Sequence, residues 1–188
     1  MLEAKTPPHP AGQEPEPVWL AGQMFLVSPD DPAARFRFLV TDESRRLARW
    51  LRLMGFDTEI ANGAAKPELS LRAHNERRIV VTRNRRIVGG TLFKVVQLAS
   101  TTLDDQLKQL AQELRLPLDE ERLFTRCDRC NVSLDPIERS DVKDRVPPHV
   151  HKTQQAFFTC PSCRRVYWAA THWERACQVF KRLRASVT

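Results

Sequence analysis

Four cysteines are the residues of this chain whose types and spacing most directly imply chemistry. Cys127 and Cys130 lie in Cys-Asp-Arg-Cys, and Cys160 and Cys163 in Cys-Pro-Ser-Cys, with residues 131–159 between the two knuckles. A Cys-x-x-Cys knuckle bends the backbone so that two thiolates converge, and two knuckles supply the four sulfurs of a tetrahedral zinc site. With every position taken by sulfur, none is open to water or substrate, so the expected zinc is structural. The competing reading is two disulfides or four buried thiols. Neighbouring knuckle cysteines form a poor disulfide framework, and nothing in the sequence signals secretion. His149, His151 and His172 could each replace one thiolate. Cys177, the fifth cysteine, has no partnered base nearby and reads as a small buried hydrophobe.

The charge distribution adds a second kind of chemistry. The chain has 188 residues and a formal net charge of +7. Residues 1–35 carry 2 Lys+Arg against 5 Asp+Glu, residues 36–120 carry 15 against 11, and residues 121–188 carry 13 against 7. The positive excess sits with the parts expected to fold, most densely beside the cysteines. Such a surface attracts polyanions, of which nucleic acid is the commonest large one. Part of that excess balances the thiolate cluster, whose zinc complex would carry about −2. The alternative is ordinary solubility charge on a solvated face.

The elements that must position these groups can be read in order. Residues 1–35 hold 7 of the 13 prolines. Proline removes amide donors and restricts its predecessor, so this stretch reads as a flexible leader with at most one short strand, Met24–Val27. Its abrupt start is compatible with a chain cut from a longer polypeptide. Phe36–Thr41 is a short apolar run that predicts a buried strand. From Ser44 to Gly55, Leu47, Trp50, Leu51 and Met54 recur at helical spacing, while Arg45, Arg46, Arg49 and Arg52 are expected on the surface. Gly55 stops that helix. Phe56–Ile60 predicts a second strand. Pro67 opens a short helix to Asn75, with Leu69, Leu71 and Ala73 partly inward. His74 is expected on its surface. Arg78–Thr82 and Phe93–Leu98 predict two more strands. The Gly89-Gly90 pair between them is a turn, since no Lys-Ser or Lys-Thr follows to make a phosphate loop. Thr101 or Thr102 caps a helix with Asp104 and Asp105 in its first turn and Leu103, Leu107, Leu110 and Leu114 in its stripe.

This alternation argues for an α/β domain over residues 36–120 with a mainly parallel sheet. Its ligands are expected at the carboxyl ends of the strands: Thr41-Asp42, Thr82-Arg83-Asn84 and Leu98–Thr101. Residues 121–188 read as a small zinc-ribbon module. One strand enters the second knuckle through Phe157-Phe158-Thr159 and another leaves it through Arg164–Trp168. A basic helix from His172 to Arg184 follows, with Trp173, Ala176, Phe180 and Leu183 on one face. No apolar run approaches the roughly 20 residues of a membrane helix, and the start lacks a signal peptide, so no membrane partner and a cytoplasmic or nuclear location are expected.

At this point the residues resemble a known family. Phe38-Leu39-Val40, followed by the run Leu47–Thr58, is similar to the opening of the Mut-seven C-terminal (Mut7-C) ribonuclease domain. Arg78–Arg83 resembles its second signature, and Arg126–Asn131 with Cys160–Trp168 and His172 resemble its zinc ribbon. The likeness covers about residues 36–175. It implies a PIN-like nuclease fold with a fused zinc ribbon, in which acidic side chains at the strand ends hold magnesium or manganese and a metal-activated water attacks the phosphate. Such ions require hard oxygen ligands.

The chain departs from the family at those ends. The slot of the first family Asp falls on Thr41, with Asp42 one residue late, where a side chain can turn to the other face. Glu68 can fill the second acidic position. The third closes Thr-Arg-Asp in the family, and here reads Thr82-Arg83-Asn84. Asp104 or Asp105 could serve a fourth position, against a plainer role as helix N-terminal charges. Asp42, Glu68, Asn84 and Asp104 are therefore the candidate, degenerate catalytic set.

Three functions follow. The first is an RNA or single-stranded nucleic-acid-binding module with a weakened nuclease centre, part of an exonuclease-type RNA-processing protein. It would bind through Arg83, Arg85, Arg86, Arg126, Arg129, Arg164, Arg165 and Tyr167. For Tyr167 and Trp168 the alternative is ribbon packing. The second is an active divalent-metal-dependent ribonuclease. The third is a platform for protein partners of a larger exonuclease, using the apolar face of the tail helix and the Pro-rich leader.

Overall fold

The structure, a computed structural model, describes residues 32–168 and 171–186, with the backbone alone for 171–175. The proposed leader strand Met24–Val27, and the side chains of His172 and Trp173, lie outside the described residues.

Four short strands form one parallel sheet: β1 (Phe38–Val40), β2 (Thr58–Ile60), β3 (Ile79–Thr82) and β4 (Val95–Gln97), in the order β2-β1-β3-β4. Side chains alternate across a strand, and the two faces build two cores. Phe38, Val40, Val81 and Val96 face one core, with Leu47 and Leu51 of α1 (Arg45–Leu53) and Leu107 and Leu110 of α3 (Leu103–Leu114). Leu39 and Val80 face the other, with Leu69 and Ala73 of α2 (Lys66–Asn75). The sheet is thus covered on both sides, as its apolar strands require. Thr102 caps α3, its hydroxyl oxygen accepting from the Asp105 amide at 3.4 Å and its hydroxyl donating to the Asp105 carboxylate at 2.7 Å.

A second sheet is antiparallel, in the order β5 (Asp135–Ile137), β6 (Phe157–Thr159), β7 (Val166–Tyr167), with a short helix α4 (Pro148–Thr153) between β5 and β6. Val142, Val146, Val150 and Phe157 form its small core. The final helix, α5 (Thr171–Ala185), returns to the first core through Phe180 and Leu183.

Several expectations need correction. The apolar face of the tail helix does not present a free surface, because Ala176, Phe180 and Leu183 are buried within the chain itself. Leu71 is 61% exposed, since only Leu69 and Ala73 fall on the face of α2 that meets the sheet. Arg52 is 4% exposed rather than on the surface. Its guanidinium donates to the carbonyls of Thr58 at 2.7 Å, Asp128 at 3.1 Å and Arg129 at 2.7 Å. It therefore joins α1, the edge strand β2 and the first knuckle. Strands β2 and β4 are shorter than the apolar runs that signalled them.

The connection between the two sheets is close. Phe124 donates its amide to the Leu53 carbonyl at 2.7 Å, at the end of α1. Gly55, at φ +85°, lies so near that a Cβ there would meet the Arg122 carbonyl oxygen at 2.6 Å. Asn131 follows the first knuckle. Its side-chain oxygen accepts from the Thr58 amide at 2.9 Å, and its Nδ2 donates to Asp57 at 2.7 Å and to Glu59 at 3.0 Å. No helix among the described residues is long and apolar enough to cross a membrane.

Candidate metal centre and strand-end crevice

Cys127, Cys130, Cys160 and Cys163 bring their sulfurs to one place, all within 4.8 Å of one another. The Cys127 and Cys163 sulfurs are 3.9 Å apart, close to the edge of about 3.8 Å implied by four sulfurs at zinc's bond length. In each knuckle the amide of the last cysteine donates to the sulfur of the first, at 3.3 Å from Cys130 to Cys127 and 3.4 Å from Cys163 to Cys160. Such bonds favour thiolate over thiol. Burial pushes the Cys160 thiol up to about 12. The Arg165 amide, against some burial, brings Cys163 down to about 7. The four cysteines can hold a structural metal ion such as zinc. Among the described residues no other group of three or more His, Cys, Asp or Glu side chains is arranged for a metal. His151 instead has its Nε2 3.0 Å from the Arg139 carbonyl, and His149 is exposed.

Outside the thiolates, the first knuckle carries a polar lock. The buried Asp128 carboxylate accepts from Arg49 Nε at 2.9 Å and Nη2 at 2.6 Å, and from the Tyr167 hydroxyl at 2.9 Å. The Tyr167 oxygen is also 3.1 Å from the Cys127 sulfur. One tyrosine thus links β7 to the first knuckle.

The sheet order reverses between β1 and β3, and ligands of open α/β sheets bind at that switch point beyond the carboxyl ends of the strands. Glu43 stands there. Its Oε1 accepts from the Thr41 hydroxyl at 2.6 Å, the Thr82 hydroxyl at 3.0 Å and the Arg83 amide at 3.0 Å. The residues 42–44 make a single 3-10 turn after β1, which carries Glu43 back over the strand end. Desolvation alone would lift the Glu43 carboxyl, but the Thr41 hydroxyl, its own amide, the Arg83 amide and the Thr82 hydroxyl outweigh it and hold the pKa below its ordinary value.

Asp42 is engaged on the other flank. Its Oδ2 accepts from the Gly63 amide at 2.7 Å, and its Oδ1 accepts from Arg45. The Gly63 amide is the main reason that its carboxyl titrates below the usual range. Asn84 forms a local turn: its amide donates to the Thr82 hydroxyl at 3.0 Å, and its Oδ1 accepts from the Arg86 amide at 3.0 Å. Glu68 and Asp104 are exposed in the first turns of α2 and α3. The structure brings Thr41, Glu43 and Thr82 together, and does not gather Asp42, Glu68, Asn84 and Asp104 into one ligand set.

The Mut7-C RNAse domain model matches residues 36–180, most of the chain. The chain belongs to the Mut7-C RNAse domain family. No curated protein and no solved structure matches it. The α/β sheet and the four-cysteine cluster are what the Mut7-C likeness implied, and an RNase-related, nucleic-acid-related role follows from the family. At the switch point the hydroxyls of Thr41 and Thr82 are bound to one carboxylate, that of Glu43.

The arginines named from the sequence separate into three groups. Arg129, Arg164 and Arg165, with Tyr167, line a groove of about 860 Å3 between the ribbon and α1. Arg83, Arg85 and Arg86 follow β3, away from that lining. Arg126 is half-buried and donates to the Asn131 carbonyl, so it works inside the fold. Sequence reasoning missed Glu43 and the α1 wall of the groove. A Glu two residues past a strand end that lacks its acid was the available signal for Glu43. For α1, the stripe Arg46, Arg49, Trp50, Leu53 was legible at i, i+3, i+4 and i+7.

Proposed function

We propose that this chain is an RNA-binding member of the Mut7-C family whose divalent-metal nuclease centre is degenerate. The observation that carries this reading is the bonding of Glu43. Oε1 of the exposed Glu43 is taken up by two hydroxyls and an amide, which leaves this carboxylate its other oxygen, where a nuclease needs several carboxylates to meet magnesium or manganese. Asn84 adds a neutral oxygen where the family pattern has a charged one. Asp42 spends its oxygens on Arg45 and Gly63. Each of these lowers affinity for a hard cation, while a net charge of +7 keeps affinity for phosphate. In this reading Cys127, Cys130, Cys160 and Cys163 hold a structural zinc that fixes the arginines of the knuckles. The chain would act as a substrate-holding part of an exonuclease-type protein.

The experiment is binding of labelled single-stranded RNA by the metal-loaded chain across a salt series. Phosphate contacts predict a linear fall of log affinity with log salt, at about 0.7 per neutralised phosphate. No binding at low salt, or binding that ignores salt, overturns the reading.

A further inference from the structure

The groove beside the metal cluster has two walls of different origin. One is a stripe of α1: Arg46, Arg49, Trp50 and Leu53. The other comes from the two knuckles and β7, with Arg129, Arg164, Arg165, Tyr167 and Trp168. Its single carboxylate, Asp128, is already held by Arg49 and Tyr167. Arg46, Arg129, Arg164 and Arg165 are exposed, and no carboxylate among the described residues pairs with any of their guanidiniums. Arg145 lines the same groove, also without a carboxylate partner among the described residues, and the thiolate cluster at Cys163 offsets only part of this charge, so the positive excess on one concave surface favours a polyanion. Trp50, Tyr167 and Trp168 stand half-buried in the same walls, Trp50 packed against the first core, Trp168 against the ribbon core as the packing alternative expected, and Tyr167 fixed through its hydroxyl. Aromatic rings beside arginines are the means by which proteins take unpaired bases, whose faces are closed off in a duplex.

We infer that this groove, and not the strand-end crevice, is the principal binding surface, and that its ligand is single-stranded RNA. The inference rests on the RNA-binding reading above. It assigns Arg46, Arg129, Arg164 and Arg165 to phosphates and the groove's rings to bases. Because one wall consists of both knuckles, the groove exists only when the cysteine cluster is closed. A metal held by the four cysteines would therefore hold that wall in place.

The test uses the full, metal-loaded chain and a fluorescent oligouridylate of about 12 nucleotides, within the span of a compact single-strand site. Three variants are compared: Arg129→Glu with Arg165→Glu, Arg46→Glu on the opposite wall, and Arg85→Glu with Arg86→Glu beside the crevice. Metal content and thermal melting confirm that each has folded. The groove double variant is expected to weaken binding by about tenfold or more and to flatten the salt slope by about 1.4. Arg46→Glu should weaken it several-fold, and the crevice variant, with the same change in charge as the groove double variant, should weaken it less than that variant does. A blunt duplex of the same length should bind more weakly than the single strand. If the parent binds RNA and both groove variants bind as it does, the groove assignment is overturned and the RNA-binding reading stands. Preference for the duplex also overturns the groove. If the parent binds no RNA at low salt, the reading itself fails and the groove with it.

Discussion

Glu43 Oε1 accepts the Thr82 hydroxyl at 3.0 Å, so a side chain that follows the first strand closes over the end of the third. The same oxygen also holds Thr41, at the end of β1. Two neighbouring strand ends are therefore joined through one carboxylate at the switch point of the sheet. Replacing Glu43 by Ala removes the acceptor of two hydroxyls and one amide. Urea unfolding should show a loss of about 1 kcal/mol, the net cost of such hydrogen bonds. Stability equal to the parent's would mean that the tie is not formed in solution.

Asp57 gives a pH-dependent prediction. Burial alone would raise its carboxyl, but hydrogen bonds from Arg78, Asn131 and Arg37 outweigh this and bring it from 3.8 to about 2. A depressed carboxyl contributes stability above its unfolded pKa and loses it as pH falls through the folded one. Asp57→Asn should therefore cost roughly 2 kcal/mol at neutral pH. The gap between parent and variant should stay flat down to about pH 5, then shrink toward pH 2. A gap independent of pH would contradict the pairing.

Arg52 predicts how the metal module is attached. Arg52→Met leaves the carbonyls of Thr58, Asp128 and Arg129 without their donor. The variant should lose about 3 kcal/mol, in the range of broken buried charged networks, and release metal faster to a chelator. In the parent, chelation should expose β5–β7 amides to hydrogen exchange before those of β1 and β3. Simultaneous exchange in both sheets would contradict this order.

Gly55 marks the close approach of the linker to α1. Ala at this position must adopt φ +85° and bring its Cβ within 2.6 Å of the Arg122 carbonyl. The backbone strain alone costs about 1–3 kcal/mol. Thermal melting should fall accordingly, with the metal still bound at one equivalent. An unchanged melting temperature would show that the linker can move away.

The parts legible in the sequence were those written in local patterns. The two knuckles announced themselves by spacing, and β1, α1, β3 and α3 by apolar periodicity. What stayed hidden depended on contacts between distant segments. Arg52 sits in a helix rich in arginines, and nothing local distinguishes the one that inserts under the first knuckle 76 residues away. The 3-10 turn that brings Glu43 back over Thr41 follows from tertiary bonds to Thr82 and Arg83, so Asp42 drew attention as the acid nearest the strand end. The apolar stripe of α5 was visible, but its use was not: Phe180 and Leu183 complete the core between α1 and α3 instead of facing a partner. β5 and α4 carry weak patterns, with Pro136 inside the strand and Pro147 and Pro148 at the start of the helix.

The most direct measurement of the central claim is single-turnover incubation of the metal-loaded chain with end-labelled single-stranded RNA in manganese, resolving complex and products together, beside Asn84→Asp. The account predicts a salt-sensitive complex and intact RNA with the parent chain, and more cleavage by Asn84→Asp than by the parent. Manganese-dependent cleavage by the parent, abolished by Glu43→Gln or Asp42→Asn, would contradict it.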